Sequence, residues 1–133
     1  DMGIMAYGSL AHGLLTGTWG AGKTFDDDDW RRDGANFGIN SWGPDNLAAN
    51  VAVVEKLMGI AADHQKTVAQ LAIAWVLANK TVSVALAGSV TTAEATENIG
   101  GDWDMSPELK QEVDNLVLSE GSGVGTAGME IAT

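Results

Sequence analysis

The stretch Val82-Ser83-Val84-Ala85-Leu86-Ala87 runs into Gly88-Ser89-Val90 and then into Thr91-Thr92-Ala93-Glu94-Ala95-Thr96-Glu97-Asn98. The first part is almost wholly apolar and stops at glycine, which reads as a strand of a parallel sheet buried on both faces. The last part reads as a capped helix from about Thr92 to Ile99. A strand, then Gly-Ser, then a capped helix is the geometry that places an anion at a helix N-terminus, where backbone N–H groups stand free and the dipole is positive. Most such turns bind nothing, so the phrase constrains the fold first and the function only in company.

A second apolar run, Gly3-Ile4-Met5-Ala6-Tyr7, fits a buried strand ending at Gly8. From Gly8 to Pro44 neither helical nor strand periodicity holds. That stretch carries eight of the seventeen glycines, three tryptophans (Trp19, Trp30, Trp42) and the acidic run Asp26 to Asp29. A loop so long inside a compact domain is usually functional or disordered, and its tryptophans predict that it folds onto something apolar. Residues 46–62 read as an amphipathic helix, with Leu47, Val51, Val54, Met58 and Ala61 on one face and Asp45 as N-cap after Pro44. Thr67-Val68-Ala69-Gln70 is a capping-box pattern opening a helix through Ala78. Only Gln70 interrupts its apolar run, so it is covered on more than one side, with Trp75 in the core. Ser106-Pro107-Glu108 opens a last helix whose apolar face is Leu109, Val113, Leu116 and Val117. From Ser119 the chain turns glycine-rich and polar, which predicts a domain over 1–118 and a loose tail over 119–133.

The order of elements gives an α/β fold with parallel strands. Two parallel strands leave open edges and a half-covered core, and a closed (β/α)8 barrel needs about 250 residues. A chain of 133 residues with two strands therefore reads as a partial barrel, completed by a homo-oligomer or by missing upstream sequence. The first residue is Asp1, so either Met2 begins a short gene or the chain begins inside a longer protein.

Composition removes several function classes. At 45% apolar and 19% charged the chain reads as globular. No window approaches the roughly 18–20 apolar residues of a membrane span, and no signal peptide is visible. The absence of cysteine excludes disulfides, thiolate zinc sites and a cysteine nucleophile, and suits a cytoplasmic location. With two histidines no dedicated metal site is expected. A net charge of −11 argues against a nucleic-acid partner.

Several ordered phrases over residues 1–118 resemble the aldo-keto reductase family. They are Ala6-Tyr7-Gly8-Ser9-Leu10-Ala11-His12-Gly13-Leu14-Leu15-Thr16-Gly17, then Asp29-Trp30-Arg31, then Val68 through Leu77, then Ala87-Gly88-Ser89 with Glu97-Asn98 and Asp102-Trp103. The resemblance implies the seventh and eighth βα units of a TIM barrel and a nicotinamide cofactor, used in the complete family for carbonyl reduction. It implies that Tyr7 stacks on the nicotinamide ring and that Gly8, Ser9, Leu10 and Gly13 approach the pyrophosphate, with Gly17 in the same loop. Gly88 and Ser89 would meet the adenosine phosphate, and Glu97 and Asn98 the adenine. NADP is the cofactor implied. NAD stays open because Val90 stands where the family usually has Arg or Lys, and Thr18 where Lys often follows the glycine. The family's catalytic Asp, Tyr, Lys and His lie on earlier strands and have no counterpart here. Catalytic residues are therefore none, and the isolated chain is expected to be inactive.

Three other patterns compete. Gly17-Thr18-Trp19-Gly20-Ala21-Gly22-Lys23-Thr24 satisfies the P-loop pattern, but only Leu14-Leu15-Thr16 precedes it and four aspartates follow. Asp26 to Asp29 could offer oxygen ligands to a hard cation, though a consecutive run reads better as a solvated stretch. His12 and His64 read as a loop residue and an exposed helix end.

Overall fold

The computed structural model describes residues 2–33 and 40–122. Strands β1 (Ile4–Ala6) and β2 (Val82–Ala85) pair in parallel, with Met5 opposite Val84 and Ala6 opposite Ala85. The Leu86 amide extends the ladder by donating to the Ala6 carbonyl at 2.9 Å. Two 3₁₀ segments, Ala11–Thr16 and Trp30–Asp33, follow β1. Then come α1 (Pro44–Asp63), α2 (Val68–Leu77), β2, α3 (Thr92–Ile99) and α4 (Pro107–Glu120).

Local chemistry explains where the helices start. Thr67 closes a complete capping box: its Oγ1 accepts from the Gln70 amide at 3.3 Å, while Gln70 Oε1 accepts from the Thr67 amide at 3.1 Å. Thr91 caps α3 and Ser106 caps α4 through their hydroxyls. At α1 the sequence expectation needs correction. Gly43 is the N-cap and Pro44 opens the helix, so Asp45 sits in the first turn beside the positive end of the dipole rather than capping it.

The main core joins three helices. Leu47, Val51, Val54, Leu57 and Ala61 of α1 meet Val68 and Leu71 of α2, Leu109 and Val113 of α4, and Leu14 of the first 3₁₀ segment. Leu57 is 4% exposed and Met58 is 43% exposed, so the buried stripe passes through Leu57 where Met58 was expected. The 3.6-residue period carries the stripe from Val54 to Leu57 and Ala61 and leaves Met58 on its flank. A second cluster of Leu10, Ala69, Ala72 and Ile73, with Leu77, Ala85 and Ala87 packed against it, seats α2 on the sheet. This explains the long apolar run of α2, which is buried at Val68, Ala69 and Leu71 through Ala74.

Trp75 is half-buried and ties α2 to α4. Its Nε1 donates to Asp114 Oδ1 at 2.6 Å, and Lys110 Nζ lies 5.0 Å from its ring centre. Trp42 is the anchor of the long loop, buried with its Nε1 donating to the Ala11 carbonyl at 3.3 Å. Trp19 packs on Phe25 beside the core, while Trp30 stays exposed. Residues 34–39 of that loop lie outside the described residues.

Two further expectations differ from the structure. The strands are not buried on both faces: Ile4, Val84 and Leu86 are exposed, and Met5 is 62% exposed. Among the described residues no third strand pairs with either edge. The boundary at 118 also falls inside α4, which continues through Glu120. Of the expected tail, residues 123–133 lie outside the described residues. Among the described residues no helix is long and apolar enough to cross a membrane.

Candidate functional site

A cavity of about 770 Å³ opens where the turns after β1 and β2 lie side by side. Tyr7, Gly8, Ser9, Leu10 and Gly13 line it from the first turn, and Gly88 from the second, with Glu97 and Asn98 of α3 beside it. Residues some eighty positions apart in sequence converge here because the two strands are parallel neighbours, so both chain exits leave the sheet at the same end. Tyr7 is 73% exposed, its ring free to meet a flat partner.

The first turn has an unusual backbone. Ala11, His12 and Gly13 take φ values of 46°, 55° and 108° in succession. Left-handed conformations at residues with a Cβ are costly and cluster at functional sites. They are held by the Ala11 amide on the Gly8 carbonyl at 2.8 Å and the Gly13 amide on the Leu10 carbonyl at 3.0 Å. The His12 ring is wedged edge-on among Tyr7, Trp30 and Trp42, with centroids 5.4, 5.1 and 5.4 Å away. Gly13 is obligatory on two counts: its φ, and an ideal Cβ there would lie 2.8 Å from the Trp19 ring.

The second turn is organised by polar contacts. Asn98 Nδ2 donates to Ser89 Oγ at 3.0 Å, so Ser89 braces Asn98 from outside the set of lining residues. Gln70 Nε2 donates to the Glu97 carbonyl at 2.9 Å and fixes the end of α3 to α2. At Gly88 a Cβ would meet nothing within 4 Å, which leaves space for a ligand to approach the backbone.

Gly17 is not brought to the cavity. A Cβ there would lie 2.9 Å from Val68 and 3.3 Å from Met58, so this glycine lets the 3₁₀ segment end against the helices. Conversely, the sequence alone assigns Arg31 no role. Arg31 lines the cavity, donating from Nη1 to the His12 carbonyl and from Nε to Asp29 Oδ1, both at 2.9 Å. The Arg31 side chain and amide hold the Asp29 carboxyl down from its ordinary range to about 2, and the carboxylate pushes the guanidinium up. The signal was the Asp-x-Arg spacing, which lets one carboxylate accept both the amide and the guanidinium of Arg31.

The competing patterns fare poorly. Residues 17–24 form no strand–loop–helix unit, and Lys23 lies 5.4 Å from the Phe25 ring centre. Asp27 pairs with Arg32 and Asp29 with Arg31, and among the described residues no group of metal-ligating side chains converges. His64 caps the end of α1, its ring 5.8 Å from that of Trp103.

What remains is a cleft with glycine backbone on two sides, an exposed phenol ring at one turn and amide and carboxylate groups at the other. Such a surface suits an elongated ligand with flat rings and a polar linker. Residues 1–108 match the model of the aldo/keto reductase family. The chain belongs to the aldo-keto reductase family. It is 32% identical over 97 residues to the aldo-keto reductase str7 of Strobilurus tenacellus, covering 73% of this chain and 27% of that protein. It superposes on the glycerol dehydrogenase of Gluconobacter oxydans with a TM-score of 0.77 at 27% identity, covering 89% of this chain and 35% of that structure. The chain thus spans between about a quarter and a third of these relatives' lengths, 27% and 35%. Its two parallel strands and flanking helices are a portion of a TIM barrel.

Proposed function

We propose that this chain carries the cofactor-binding corner of an NAD(P)-dependent aldo-keto reductase and that, by itself, it reduces no carbonyl. The carrying observation is the meeting of Tyr7, Gly8, Ser9, Leu10 and Gly13 with Gly88, Glu97 and Asn98 around one cavity. The cavity accepts an elongated dinucleotide on chemical grounds. Backbone glycines permit close approach of a pyrophosphate, Arg31 supplies the one cationic side chain among the lining residues, and the amide of Asn98 is presented by Ser89. When bound, the cofactor would supply a hydride. This chain's residues would hold and orient it: Tyr7 against the nicotinamide, Glu97 and Asn98 at the adenine. The chain's one tyrosine is thereby committed to stacking, which leaves no phenol to donate a proton. The test is a fluorescence titration with reduced cofactor. Saturable binding abolished by Glu97→Ala with Asn98→Ala supports the reading, and no binding at millimolar cofactor rejects it.

A second reading is a non-catalytic half-barrel that associates with copies of itself. The observation favouring it is the exposure of Ile4, Met5, Val84 and Leu86 on the two strands. A P-loop nucleotide site is the weakest reading, and unchanged nucleotide binding in Lys23→Ala would dispose of it.

A further inference from the structure

We infer that Val90 and Glu94 make this cavity select the nicotinamide dinucleotide that lacks a 2′-phosphate, NAD(H) over NADP(H). The inference rests on the reading of the cavity as a dinucleotide site.

A 2′-phosphate is a compact anion of nearly two charges. It needs a cation or free N–H donors where the adenine ribose lies. The turn after β2 offers no cation, and a carboxylate stands beside it. The residue following Gly88-Ser89 is Val90, whose side chain projects into solvent with 91% exposure and has nothing to donate. Its backbone amide, just ahead of the Thr91 N-cap, already donates to Glu94 Oε2 at 2.8 Å. The Glu94 amide in turn donates to Thr91 Oγ1 at 3.2 Å. Two amides at the entrance of α3 are thus taken by its own side chains, and one of those acceptors is a carboxylate.

The charge around the cavity points the same way. Glu94 and Glu97, one helical turn apart on α3, both line it. Arg31 is the one cationic lining residue, and it is committed to Asp29 and to the His12 carbonyl. A free ribose 2′-hydroxyl is a donor and finds an acceptor in a carboxylate. A 2′-phosphate has no proton to donate and meets like charge instead. An acidic residue therefore discriminates twice, by accepting from the hydroxyl and by repelling the phosphate. Both effects act at the α3 end of the cavity, while the pyrophosphate common to the two cofactors is read by the glycine turn. Cofactor choice is therefore separable from cofactor binding.

The separation sets the experiment. The 133-residue chain is titrated with NADH and with NADPH by calorimetry, with AMP and adenosine 2′,5′-bisphosphate as shorter probes. NADH is expected to bind more tightly by on the order of tenfold at low salt. The gap should narrow near 1 M salt, where the screening length is only about 3 Å. Glu94→Gln keeps an acceptor for the Val90 amide and removes the charge. It should raise NADPH affinity and weaken NADH, as the carboxylate acceptor for the ribose hydroxyl becomes a neutral one. Glu94→Gln with Val90→Arg should bring NADPH level with NADH or ahead of it. Equal or tighter binding of NADPH by the unmodified chain overturns the inference and leaves the cofactor site standing. A Glu94→Gln variant that shifts both affinities alike also overturns it, since the residue would then shape the turn rather than read the ribose. Failure of both cofactors to bind overturns the dinucleotide reading itself, and the inference falls with it.

Discussion

At the residue scale, the site depends on a few side chains that hold loops from a distance. Asp29 is one. Its carboxyl titrates at about 2 in the folded chain, down from 3.8, because Arg31 donates to it from side chain and backbone. A lowered folded-state value means the carboxylate's contribution is complete above pH 3.8 and is lost as pH falls through about 2. Acidification across that window should release Arg31 from the cavity wall, seen as a change in Trp19 and Trp30 emission. Asp29→Asn should lack this transition. Asn50 is a second such side chain. It is buried, and it donates from Nδ2 to the Ser41 and Ser122 carbonyls while Oδ1 accepts from the Ser122 amide at 2.8 Å. It therefore ties the start of α1 to the end of α4. Asn50→Ala strips those groups of their partner and should cost about 1–3 kcal/mol in a urea unfolding experiment. Gly13→Ala should also destabilise, by about 1–3 kcal/mol, since it combines a φ of 108° with contact on the Trp19 ring. The ring contact should show as a shifted Trp19 emission that Gly20→Ala, with open space around its Cβ, does not produce.

At the element scale, helix starts are set by residues three apart. Thr67→Ala removes the hydroxyl that accepts from the Gln70 amide and should lower stability by about 1 kcal/mol, with Thr67→Ser restoring most of it. Because such signals are local, α2, α3 and α4 were legible in the sequence to within a residue or two of their starts. The α1 start was misread because Asp45 is a good cap by type, yet Pro44 before it is better suited to the first helical position than to a place outside it. The convergence on one cavity was legible at Tyr7 to Leu10, Gly13, Gly88, Glu97 and Asn98. It was not legible at Arg31 or His12, whose roles arise from rings and carbonyls that the loop brings together only once folded. Gly17 was misplaced for the opposite reason: its neighbours Val68 and Met58 are far off in sequence, so a packing glycine looked like a loop glycine. Val82 to Ala87 records a strand's need for cover on both faces, and the described residues supply one.

At the scale of the whole molecule, two forces of opposite sign act on the exposed sheet. Met5 and Val84 face each other across the β1–β2 ladder, both exposed, with Ile4 and Leu86 exposed beside them. Withdrawing these side chains from water favours association, at roughly 25 cal/mol per Å² of apolar surface. Each copy, however, carries a net charge of −11, which opposes the approach of another at low ionic strength. The two terms respond differently to salt. Repulsion is screened over about 8 Å at physiological ionic strength and over about 3 Å at 1 M, whereas apolar burial is not weakened by sodium chloride. The purified chain should therefore sediment more slowly at low salt and low concentration and move toward larger species as either rises. Met5→Lys with Val84→Lys should suppress that shift at every salt concentration, because it removes the apolar patch and adds charge within it. If the chain stays a monodisperse monomer across both series, the self-association reading fails, and the exposed strand surface has to be explained by cover from other parts of an aldo-keto reductase barrel. If the double variant associates as strongly as the parent, the contact lies elsewhere and the strands are not its seat.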